Sequence, residues 1–152
     1  MTPDSAFKVR PTKLSDLPAV VELDGLVSGE QKVMYWREVF AHYLKDSSCV
    51  ALVVEGIFGV EGFLFGEVRA FEFGSPEFGW VVSIEVHPSS RRKGRGSALL
   101  KQARECFGTL GVTSLRTMAA RTNVPTLSLF RSHGFVGGPF VQLELNLDDS
   151  EE

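Results

Sequence analysis

Apolar positions along the chain repeat with two periods, and the order in which those periods follow one another predicts a mixed α/β domain. Phe7-Lys8-Val9-Arg10 alternates apolar and polar and stops at Pro11, the pattern of a short first strand. Leu14 to Pro18 opens a helix, with Ser15 or Asp16 as N-cap and Pro18 in the first turn, running to about Asp24 before Gly25. A second helix is expected from Glu30 to about Leu44, carrying Val33, Trp36, Val39, Phe40 and Tyr43 on one face, with a mobile segment at Gly25 to Gly29. Strands follow at Cys49–Glu55, Gly62–Phe73 and Phe78–Val86, with a turn or bulge at Gly56–Glu61 and a hairpin at Gly74-Ser75-Pro76. A helix from about Gly94 to Phe107, a strand at Ser114–Ala120, a short helix at Pro125–Ser132 and a last strand at Phe140–Leu147 complete the order β-α-α-β-β-β-α-β-α-β.

The chemistry concentrates where the third long strand passes into the third helix. Trp80, Val81, Val82, Ile84 and Val86 precede the turn, and Leu99, Leu100, Ala103, Cys106 and Phe107 recur at helical spacing after it. Between them stands Arg91-Arg92-Lys93-Gly94-Arg95-Gly96-Ser97. Glycines there permit unusual dihedrals and close approach of a ligand, while the helix start offers unpaired N–H groups to an anion. The four cations reinforce a phosphate nest. A dinucleotide fingerprint is excluded because Leu99 stands where the third small residue belongs, and the Lys-Ser/Thr pair of a P-loop is missing.

Arg91-x-x-Gly94-x-Gly96, preceded by Ile84-Glu85-Val86-His87-Pro88, resembles the coenzyme A signature of the GNAT superfamily of acetyl-CoA-dependent N-acetyltransferases. The likeness extends over about Phe7 to Leu147, with a second motif from Asn123 through Phe130 to Gly134-Phe135. It implies an α/β fold, a twisted mixed sheet of about six to seven strands flanked by about four helices, with two central strands splayed to admit acetyl-CoA. It also implies that Arg91, Arg92, Lys93, Gly94, Arg95, Gly96 and Ser97 hold the pyrophosphate, that the backbone of Ile84 and Val86 pairs with pantetheine, and that Asn123 and Phe130 line the cofactor. A backbone N–H at Val86, freed by a bulge there, would polarise the thioester carbonyl. Glu85 is the first candidate base, sent by strand alternation to the face opposite Ile84 and Val86, and His87 is the second. Many relatives carry a thiolate-protonating Tyr where this chain has Phe130. The acceptor would be a primary amine attacking directly in a ternary complex. Its wall would be built from Gly25–Gly29 and from Tyr35, Trp36, Phe40 and Tyr43, with Glu22, Asp24, Glu30, Glu72 and Glu77 as further candidates. A non-catalytic acyl-CoA sensor is the alternative.

Composition adds boundaries. The 152 residues suit a single domain, with a core at about 7–147 and an acidic tail at 148–152. No apolar run is long enough to span a bilayer and the N-terminus has no secretory pattern, so a cytoplasmic protein with no membrane partner is expected. A net charge of −3 with one basic turn argues against nucleic acid and for a small phosphorylated ligand. Cys49 and Cys106 fall in apolar-periodic segments as buried free thiols, and no metal site is expected because His42, His87 and His133 stand apart from one another and from the cysteines. Monomer and homodimer both remain open.

Overall fold

The computed structural model describes residues 6–70, 74 and 76–148. Five strands form one sheet in the order β1 (Phe7–Pro11), β2 (Cys49–Gly56), β3 (Gly59–Arg69), β4 (Phe78–Val86) and β5 (Leu115–Thr117). The first four run antiparallel and β5 runs parallel to β4. Four α-helices cover it: α1 (Leu17–Ser28), α2 (Val33–Tyr43), α3 (Arg95–Thr109) and α4 (Val124–Ser132).

Period-two alternation divides the side chains between two layers. Val50, Leu52 and Val54 of β2 and Leu64 of β3 face α3 and α4, where they meet Leu99, Leu100, Ala103, Phe107 and Phe130. Val53, Phe63 and Phe65 point the other way, onto Val20, Val21 and Leu23 of α1 and Trp36, Phe40 and Tyr43 of α2. On β4 the alternation breaks. Phe65 pairs with Ser83 and Gly66 with Val81, so Val82 is an extra, bulged residue. Val81 and Ile84, three apart, would otherwise face opposite sides; the bulge lets both pack on the α3 side, with Val86, and turns Glu85 toward α1.

Several boundaries differ from expectation. α1 passes through Gly25 and stops at Gly29, whose φ of +87° makes the left-handed cap, so Gly25 to Ser28 is helix rather than a mobile segment. Gly25 is required for another reason: a Cβ there would sit 2.9 Å from Gln31 Cγ, where the chain folds back. α2 begins at Val33, not Glu30, and β5 keeps only three residues of Ser114–Ala120. Phe140–Leu147 forms no strand, which leaves five strands among the described residues against the six to seven expected. Short β5 offers little edge to pair with, and Gly137, Gly138 and Pro139 are poor strand formers. Phe140 lies 5.5 Å from the Arg116 guanidinium, while Val141, Leu143, Leu145 and Leu147 are 80–90% exposed. Residues 71–73 and 149–152, including the candidate Glu72, lie outside the described residues. No described helix is long and apolar enough to cross a membrane.

Candidate active site

β5 accompanies β4 only from Gly79 to Val81, so beyond that point no described strand lies beside this edge of β4. An open cleft of about 640 Å³ occupies the gap. Ile84, Glu85 and Val86 line it from β4, Ser90, Arg91, Arg92, Gly94, Gly96 and Ser97 from the turn and the start of α3, and Asn123 to Thr126 with Ser128 and Leu129 from α4, with Val27 of α1. A smaller cleft of about 250 Å³ between β4 and the end of β5 shares Ile84, Glu85, Asn123 and Thr126 and reaches Ser83, Thr117 and Phe130.

The basic turn ahead of α3 has an unusual backbone. Arg92 (φ +63°) and Gly94 (φ +89°) are both left-handed, which curls the backbone before Gly94 caps α3. The first helical bond runs from Ala98 N–H to Gly94 O at 3.0 Å, so the amides of Gly96 and Ser97 lie ahead of the ladder at the positive end of the helix dipole. Arg91 and Arg92 are exposed and line the cleft. Gly96 has a second role, since a Cβ there would come within 2.9 Å of Leu129 Cδ2: α3 and α4 touch at this point. Ser97 Oγ meets His133 Nε2 at 2.9 Å, which ties the same two helices.

Three expected members are placed otherwise. Arg95 points inward, 2% exposed, with Nε 2.8 Å from Glu61 Oε1 and its guanidinium 4.5 Å from the Phe7 ring. It therefore holds the turn to β3 and β1 rather than presenting a cation to a ligand. His87 caps the short turn Pro88–Ser90, its Nδ1 accepting from Ser89 N–H at 3.1 Å and lying 2.8 Å from Ser89 Oγ, and its ring does not line either cleft. The bulge stands at Val82, four residues before the expected Val86, which stays paired with Gly62. The aromatic wall is likewise corrected: Trp36, Phe40 and Tyr43 are core, and Tyr35 is half exposed.

Glu85 is the chemically unusual group. One carboxyl oxygen, Oε1, is buried with no hydrogen-bond partner, and the residue lines both clefts. Burial pushes its carboxyl up to about 8; the hydrogen bond and negative charge of Asp24 push the same way, while Lys32 and Arg91 pull down. Burial would also raise Asp24, but hydrogen bonds from Glu85, Trp36 and Lys32 hold it below the usual range. Trp36 Nε1 donates to Asp24 Oδ2 at 3.0 Å and Lys32 Nζ lies 3.3 Å from the same oxygen. The pair thus shares a proton, held on Glu85. Asp24 is 4% exposed. Lys32 and Ser90 escaped the sequence reading; Asp24 and Lys32, eight apart across a helix end, carry no local signal of meeting.

Away from the cleft, His42 and Cys49 are not isolated: Nε2 and Sγ stand 3.8 Å apart, with Asp46 beside them. Both cysteines are free and half-buried rather than buried. Burial, with the charges of Asp46 and Glu67, pushes the Cys49 thiol up to about 11, which makes it a poor nucleophile.

A family model described as Acetyltransferase (GNAT) family matches residues 17–135, most of the chain and all of the cleft. The chain belongs to the GNAT acetyltransferase family. Among GNAT structures, an AAC(6')-Iy complex with the bisubstrate analogue CoA-S-monomethyl-acetylneamine superposes with a TM-score of 0.82 at 14% identity, over 93% of this chain and 98% of that one. The aminoglycoside antibiotic 6'-N-acetyltransferase AAC(6')-Ih from Acinetobacter baumannii gives 0.77 at 18% identity, over 93% and 99%. At those identities the likeness is one of GNAT fold. A Bacillus subtilis (strain 168) protein named "Putative phosphinothricin acetyltransferase YwnH" is 43% identical over 54 residues, 36% of this chain and 33% of its own length. The match thus spans about a third of that curated relative.

Proposed function

We propose that this acetyltransferase moves an acetyl group from acetyl-CoA to a primary amine that reaches the cleft as an ammonium ion. The supporting observation is the position of Glu85, a half-buried residue with one buried, unpartnered carboxyl oxygen, which lines the same cleft as the basic turn. Gly94, Gly96 and Ser97 offer backbone donors to the pyrophosphate, Arg91 and Arg92 supply positive charge, and Lys93 sits in the same turn. Ile84 and Val86 lie on the β4 edge that no described strand accompanies, which suits a pantetheine arm added alongside. Asn123 and Phe130 border the smaller cleft, although Asn123 Oδ1 is engaged with Thr126 N–H at 3.3 Å.

When bound, acetyl-CoA supplies an activated acyl carbon. Glu85, in its deprotonated form, accepts a proton from the ammonium, leaving the nitrogen lone pair free; the C–N bond forms as the C–S bond breaks, the nitrogen releases its second proton to solvent, and the thiolate takes one from solvent because Phe130 has none to give. Coenzyme A is a fair leaving group, its thiol resembling that of Cys at a pKa of about 8.5. With Asp24 paired to Lys32, it is Glu85 in its deprotonated form that favours a cationic acceptor over a neutral one.

A thiol-release assay with acetyl-CoA across polyamines, amino acids, aminoglycosides and N-terminal peptides tests the reading. At least one cationic amine should turn over, and Glu85→Gln should lower kcat/KM by about 10²–10⁴ without weakening acetyl-CoA binding. Tight acetyl-CoA binding with no turnover across the whole panel would favour the acyl-CoA sensor that Phe130 makes conceivable.

A further inference from the structure

At the far end of α2, away from the cleft, three side chains of different donor type converge on one point. His42 stands in the last turn of the helix, Asp46 in the connecting loop and Cys49 at the first position of β2. His42 Nε2, an Asp46 carboxylate oxygen and Cys49 Sγ all lie within 4.8 Å of one another. We propose that His42, Asp46 and Cys49 bind a zinc(II) ion, with water completing a tetrahedral shell.

The distances suit the ion. Zinc bonds of about 2.0–2.1 Å to imidazole nitrogen and 2.3 Å to thiolate sulfur, at a tetrahedral angle, separate the two ligand atoms by about 3.6 Å. Here they are 3.8 Å apart, so this pair asks for only a small contraction, and the Asp46 oxygen, within 4.8 Å of both, closes in by rotation of its side chain. One nitrogen, one sulfur and one oxygen form a set of borderline softness, which selects zinc over magnesium or calcium.

The loop is organised to present these atoms. Asp46 N–H and Lys45 N–H both donate to His42 O, at 3.2 and 3.3 Å, and Cys49 N–H donates to Asp46 O at 3.0 Å. Asp46 Oδ1 accepts from Ser48 N–H at 2.8 Å and from Ser48 Oγ at 2.7 Å, which fixes the carboxylate plane from behind. That is the supporting shell a metal-ligating carboxylate needs. Glu67, the nearest other acid, is occupied: Tyr43 donates to one of its oxygens and Arg69 Nε lies 3.2 Å from the other. His42 and Asp46 are exposed, leaving a path for the ion and a place for water. On binding, the S–H proton leaves to solvent as the zinc–sulfur bond forms.

Cobalt(II), which reports its own geometry, is the probe. Titrated into the reduced full-length protein, it should saturate at one equivalent with the strong visible bands of a tetrahedral site and an ultraviolet thiolate-to-cobalt band, and zinc should displace it. Cys49→Ser should abolish the ultraviolet band, His42→Ala and Asp46→Asn should each weaken binding at least tenfold, and Cys106→Ser should change nothing. Zinc should raise the melting temperature of the parent and of Cys106→Ser but not of Cys49→Ser. Octahedral cobalt spectra without a thiolate band, saturation only at millimolar metal, or equal zinc stabilisation of Cys49→Ser would each overturn the proposal. None of these readouts depends on acetyl transfer.

Discussion

Glu85 and Asp24 set the behaviour of the site at the scale of single residues. A carboxyl whose folded-state pKa is about 8, against 4.5 for an ordinary Glu, keeps its proton in the folded state while the unfolded chain releases it. Stability conferred by that group is therefore fully present below about pH 4.5 and is lost as pH rises toward 8. Glu85→Gln removes the linkage, so the melting temperature of the variant should rise relative to the parent between those two pH values; parallel curves would show that Glu85 titrates normally. Activity carries the matching sign. A base that must lose its proton gives kcat/KM rising to a plateau above about pH 8, and Asp24→Asn, by removing a negative neighbour, should move that rise to lower pH. A pH profile unmoved by Asp24→Asn would leave Asp24 as packing for Trp36. The sequence marked Glu85 because a carboxylate interrupts an apolar strand. It marked His87 as sharing Glu85's side of the strand and Arg95 as part of the basic turn, and neither position says which way a side chain turns: one caps Ser89 and the other is buried against Glu61.

Elements were legible where periodicity is long and hidden where one residue changes phase. The two faces of β2 and β3 follow directly from alternation, and the amphipathic faces of α2 and α3 from their 3.6-residue repeat. Val82 is different, because a bulge is a relation between two strands and not a property of one. Its trace was present in the three-residue spacing of Val81 and Ile84, both packed on the same layer. Gly94 and Gly96, alike in sequence, are separable in structure. Gly94→Ala forces a Cβ into left-handed backbone, at about 1–2 kcal/mol, and should weaken acetyl-CoA by deforming the turn. Gly96→Val instead presses on Leu129 and separates α3 from α4, with an expected loss of about 1–3 kcal/mol in stability as well as binding. Leu129→Ala should recover stability in Gly96→Val but not in Gly94→Ala, measured by thermal melts beside calorimetry with acetyl-CoA; no recovery in Gly96→Val would contradict the assignment.

For the molecule as a whole, the family and the cleft follow from one turn flanked by one strand and one helix, while the sheet's last edge does not. The alternation from Phe140 to Leu147 predicts a strand, yet the described chain leaves Val141, Leu143, Leu145 and Leu147 in solvent. Because those side chains touch little, Leu143→Lys with Leu147→Lys should leave the melting temperature nearly unchanged, within about 0.5 kcal/mol per site, while reducing light scattering in concentrated samples. A large fall in melting temperature would show that the segment is packed in solution.

Leucine at 143, 145 and 147 repeats the same side chain at every second position of that exposed strip. Two such strips can slide past each other by two residues and present an almost identical face, so their contacts have no unique alignment. Association through this edge therefore yields a spread of misaligned clusters in place of one defined complex.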